Sequence, residues 1–79
     1  MAVAGVNAAL HPRAHTSFAQ REVDVSARPL PAGSHLVIVV RAPGTPPAVM
    51  EYIVDRTRAD DAVHLGLGYA REFIDGKLH

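Results

Sequence analysis

The chain reads as an α+β domain: a three-stranded antiparallel meander with a C-terminal helix over residues 58 to 75 packed on one face. Three features predict this. Residues 17 to 27 follow a period of two, residues 36 to 40 form an unbroken apolar run, and residues 59 to 74 repeat apolar side chains every three or four positions. The length of 79 residues allows one domain, residues 1 to 79. Leu, Ile, Val and Phe make up about 27% of the chain, enough for a small core. At this size apolar burial only about balances chain entropy, so oligomerisation is an available stabiliser.

Each element has its own local reason. Residues 1 to 12 are rich in Ala and Val, with Val3, Val6 and Leu10 at helical spacing before Pro12, which suits either a short helix or a loosely docked arm. In the first strand Ala19, Val23 and Val25 share one parity, while Gln20, Glu22, Asp24 and Ser26 share the other. Arg21 and Phe18 interrupt the pattern. Two prolines and a glycine between Arg28 and Ser34 mark a loop. The run from Leu36 to Val40 has the character of a strand buried on both faces. Pro43-Gly44 suits the centre of a type II turn, and residues 48 to 55 alternate as a third strand.

The helix carries the strongest pattern. Thr57-Arg58-Ala59-Asp60 resembles a capping box, and Asp60 and Asp61 lie where the helix dipole favours anions. Ala59, Ala62, Val63, Gly66, Leu67, Ala70 and Ile74 form one apolar stripe, and Gly76 supplies the stop. Gly66 lies in the stripe, where a missing side chain lets helix and sheet approach closely. Gly68 lies on the outer face. One helix covers one face of a sheet, so Val37, Val39, Val49 and Ile53 are expected on the other, as a dimer or docking surface.

Composition excludes several function classes. The chain has no Cys, which removes disulfide scaffolds, Cys-ligated zinc and thiol nucleophiles. Its formal charge of zero argues against direct nucleic-acid binding driven by bulk electrostatics. No apolar run approaches a membrane span, and the N-terminal segment lacks the basic start of a signal peptide, so a cytoplasmic protein is expected. His11 and His15 have ligand spacing, but Pro12 lies between them and no HExxH glutamate follows. They read as loop histidines, and no metal or cofactor is expected. Gly66-Leu67-Gly68-Tyr69-Ala70-Arg71 begins like a dinucleotide fingerprint but lacks the third Gly and lies inside a helix.

Gly33-Ser34-His35 enters the middle strand. With a helix before three strands and a helix after, the order resembles the double-stranded-RNA-binding fold, and within it the HicA-type ribonuclease toxins. That resemblance implies His35 as general acid and base. Asp60 and Asp61 stand where that family carries basic residues at the start of the last helix, and they repel phosphate. The neutral total also conceals an asymmetry: residues 1 to 41 carry net +2 and residues 42 to 79 net −2. Asp55, Asp60, Asp61, Glu72 and Asp75 are therefore candidates for contact with a basic protein surface. With no catalytic set, the expected function is non-enzymatic. The small size, neutrality and Ala/Arg/Pro-rich usage resemble anti-CRISPR inhibitors of bacterial viruses. This implies a partner such as a CRISPR effector complex, a homodimer as one form, and action in the cytoplasm of a bacterial host. The competing expectations are the His35 ribonuclease and a self-assembling adaptor.

Overall fold

The computed structural model describes residues 11 to 76 as four strands in an antiparallel meander, followed by one helix. The strands are β1 (Arg13–Phe18), β2 (Arg21–Leu30), β3 (Gly33–Arg41) and β4 (Ala48–Asp55), and the helix α1 is Ala59–Ile74. Sheet order follows chain order, so β2 and β3 are internal while β1 and β4 are edges. The α+β class holds, but the sheet has four strands where three were expected. That count also departs from the three-strand order of the double-stranded-RNA-binding fold. The helix or arm expected over residues 1 to 12 lies outside the described residues, save for His11 and Pro12.

The extra strand comes from a turn without its usual residues. Residues 17 to 27 are not one strand. Ala19 and Gln20 form a two-residue hairpin with φ of 50° and 65°, closed by the pair Phe18 and Arg21. Such hairpins need positive φ at both central positions, which Asn and Gly normally supply. The interruptions at Phe18 and Arg21 are the residues flanking this turn, where side-chain parity restarts.

The expected loop from Arg28 to Ser34 shrinks to Pro31 and Ala32, because β2 runs on to Leu30 and β3 begins at Gly33. Pro29 is tolerated inside β2 for a geometric reason. The Ala27 N–H donates to the Pro12 carbonyl at 3.1 Å, on the β1 side. The nitrogen two residues on faces the same way, beyond the end of β1, so its missing proton removes no ladder bond among the described residues.

The Leu36 to Val40 run is not buried on both faces. Leu36, Ile38 and Val40 are buried under the helix, whereas Val37 and Val39 are half-buried on the opposite side. With Val23, Val25 and Ala27 from β2 they meet Ala59, Ala62, Val63 and Ala70 of α1. Aromatics close both flanks of this layer. Tyr52 of β4 and Tyr69 of α1 have ring centroids 5.1 Å apart, and the Arg71 guanidinium lies 5.6 Å from the Phe18 ring centre.

Small residues allow the close approach. A Cβ on Gly66 would lie 2.6 Å from Val25 Cγ1 and 2.8 Å from Leu36 Cδ1. Gly68 would meet nothing within 4 Å, in keeping with a tolerated outer-face glycine. The expected capping box does not form: Arg58 is the N-cap without a side-chain bond, and the Thr57 hydroxyl donates instead to the Asp55 carbonyl at 2.9 Å. Asp75 is the C-cap and Gly76, with φ of 79°, ends the helix as its position implied. Gly44 has φ of 76° in a turn closed by Thr45 N–H on the Ala42 carbonyl, which fits Pro-Gly at the centre of a type II turn.

Candidate interaction surface

Because α1 covers one face of the sheet, the other face is built from alternate residues of all four strands. Cross-strand register sets Val39 opposite Val49, Val37 opposite Glu51, and His35 opposite Ile53. On the β2 side Val39 faces Asp24 and Val37 faces Ser26. The structure thus brings Val37, Val39, Val49 and Ile53 together on the face away from the helix. Val49 and Ile53, on the edge strand, are 59% and 65% exposed. Among the described residues nothing covers them.

Charged groups frame this patch on both sides. His15 Nδ1–H donates to Asp24 Oδ1 at 2.6 Å, and Arg41 Nη1 donates to the other oxygen of the same carboxylate. The hydrogen bond to Asp24, reinforced by that residue's charge, raises the His15 pKa above its ordinary 6.5. In return the bonds from His15 and then Arg41 hold Asp24 below its ordinary 3.8. Toward the other end His35 Nε2 donates to Glu51 Oε1 at 2.9 Å. Two shallow depressions, of about 460 and about 250 Å³, lie along β1, β2 and β3 on this side, with Arg13 and Val37 lining both.

His15 therefore occupies a strand and an ion network; it is not a loop histidine. Sequence reading missed the cluster because His15 and Asp24 become neighbours only through the hairpin at Ala19 and Gln20. The pattern that would have revealed it is the shared parity of the two residues about that turn. A His–Asp pair is one half of an acid–base constellation, but here the other ring nitrogen, Nε2, lies 3.5 Å from Glu22. Carboxylates thus stand beside both ring nitrogens of this exposed side chain. Among the described residues no cluster of three or more His, Asp or Glu is arranged to hold a metal ion.

The Gly-Ser-His triplet has a structural use at each position. A Cβ on Gly33 would lie 2.1 Å from the Val54 carbonyl oxygen, so only glycine fits beside β4 there. Ser34 is fully buried, and its hydroxyl donates to the Thr57 carbonyl at 2.6 Å, tying β3 to the approach of α1. His35 is held by Glu51 on the open face.

The acidic candidates divide into separate groups. Asp55 ends β4 with the parity of Val49 and Ile53, on the open side. Asp60 and Asp61 lie in the first turn of α1, and Glu72 and Asp75 lie at its far end. All five are exposed. At 1.5 Å per residue, Asp61 and Glu72 are about 16 Å apart along the helix axis. They make two acidic ends on the helix, with Asp55 on the other side of the sheet. A third hollow, of about 550 Å³, lies between the Pro31 hairpin and the helix start, with Arg56, Arg58 and Asp60 among its lining residues. No helix among the described residues is long and apolar enough to cross a membrane. No family model, no curated protein and no solved structure matches the chain.

Proposed function

We propose that the protein is a non-enzymatic interaction module that presents the open face of its sheet to a protein partner. One observation carries this reading: Val49 and Ile53 are more than half exposed beside Val37 and Val39 on a face that the helix leaves bare. The surrounding ion pairs suit the rim of a protein interface, where charge sets orientation more than affinity. The carboxylates beside both ring nitrogens of His15, and the structural uses of Gly33 and Ser34, support a binding role over a catalytic one.

An inhibitor of a host nucleoprotein complex, of the anti-CRISPR kind, is the specific form of this proposal. The exposed acids at the two ends of α1 support it, as charges able to meet a basic surface. Binding to a partner recovered by affinity capture tests the module. Val39→Lys changes the centre of the open face on an internal strand, and it is expected to weaken binding at least about tenfold while the thermal melt stays cooperative. Charge reversal at Asp60 and Asp61 tests the inhibitor form, which needs those acids. Growth arrest on expression, relieved by His35→Ala, would instead establish the ribonuclease reading.

A further inference from the structure

The edge strand β4 supports an inference independent of the open-face reading. Its eight residues pair with β3 without interruption from Ala48 to Asp55, and among the described residues no strand pairs with its outer side. Free edges are normally blunted by proline, lysine, bulges or a covering segment. Among the described residues β4 has no proline, lysine, bulge or cover, and its charges are the two carboxylates Glu51 and Asp55. It carries apolar side chains on both faces: Val49 and Ile53, alternating with Glu51 and Asp55, on the open side, and half-buried Met50, Tyr52 and Val54 on the helix side. The opposite edge, β1, instead carries Arg13, His15, Thr16 and Ser17.

We propose that β4 pairs antiparallel with β4 of a second copy of this chain, about a two-fold axis through Tyr52. Residues directly opposite in a sheet share a face, so a symmetric pairing must centre on a residue. For a strand spanning positions 48 to 55, the longest overlaps centre on position 51 or 52. Centring on Glu51 sets that carboxylate against its own copy, and like charges directly opposite are destabilising. Centring on Tyr52 sets no like charges opposite each other. Glu51 then faces Ile53 of the second copy, Val49 faces Asp55, and Met50 faces Val54. The two four-stranded sheets become one continuous sheet. Tyr52 of each copy, already against Tyr69, extends the helix-side apolar layer across the axis.

Sedimentation equilibrium of the full chain, with Val49 replaced by Lys or Asp, tests the pairing and its register. Val49 is exposed enough for both variants to fold. Val49→Lys sets a cation against Asp55 of the second copy at two symmetric places, whereas Val49→Asp sets a carboxylate there. The wild type is expected to be a dimer, with the Asp variant dissociating at least about tenfold more readily than the Lys variant. A monomeric wild type, or equal weakening by both variants, overturns the proposal. Because the chain has no Cys, single cysteines add an unambiguous cross-link. Tyr52→Cys is expected to oxidise to a covalent dimer and Val39→Cys to stay monomeric under denaturing conditions. The reverse outcome would establish face-to-face packing of two sheets in place of edge pairing. Loss of partner binding in Val39→Lys with an intact dimer separates this inference from the proposed function.

Discussion

Alanine at the two interior helix glycines is expected to act in opposite directions. At both sites alanine gains about 1 kcal/mol of helix propensity over glycine. At Gly68 nothing lies within 4 Å of the new Cβ, so that gain is realised in full. At Gly66 the new Cβ would lie 2.6 Å from Val25 Cγ1 and 2.8 Å from Leu36 Cδ1, inside any real carbon–carbon contact. Both side chains are fully buried, and Val25 is β-branched with little rotamer freedom. The helix must therefore move outward along the whole Ala59–Ala70 stripe, and overpacking of this kind costs about 1–3 kcal/mol. The net expectation for Gly66→Ala is a loss of up to about 2 kcal/mol, against a gain of about 1 for Gly68→Ala. Urea denaturation with a shared slope measures both, and thermal melts should separate the variants by several degrees, at about 4–8 °C per kcal/mol in a domain of this size. Equal stabilisation by both alanines would refute the close helix-on-sheet packing.

Four further outcomes follow from the same structure. Gly33→Ala is expected to be among the most damaging small substitutions, because its Cβ meets the backbone carbonyl of Val54 and β3 and β4 must separate; hydrogen exchange of the β4 amides reads this. Ser34→Ala removes the hydroxyl bond to Thr57 from a fully buried site and should cost about 1–2 kcal/mol in denaturant titration. Replacing Ala19-Gln20 by Asn-Gly relieves two positive-φ residues and should raise the melting temperature; an unchanged or lower value would contradict the turn geometry. The His15–Asp24 pair gives stability a pH window. The raised His15 pKa contributes fully below about 6.5 and is lost as pH climbs through the folded value, while the lowered Asp24 pKa contributes above about 3.8 and is lost as pH falls through its folded value. Asp24→Asn should therefore lower the plateau between those limits and flatten the slopes on either side of it, as read by melts across pH.

The sequence by itself determined the α+β class, the helix, its buried stripe, the strand at residues 48 to 55 and the face on which Val37, Val39, Val49 and Ile53 lie. These follow from periodicity, which local geometry imposes on any chain that buries one face of an element. The fourth strand, the continuation of β2 through Pro29 and the His15–Asp24–Arg41 cluster depended on tertiary structure. Ala19 and Gln20 carry no turn signature, and only pairing with β2 holds them at positive φ. Pro29 is admissible because β1 happens to end before it. Thr57 and Asp60 had the residue types of a capping box, but Thr57 was drawn instead to the Asp55 carbonyl beside the sheet. Periodicity is a property of one element and can be read along the chain. Register, edge and neighbour belong to pairs of elements, and the folded sheet decides them.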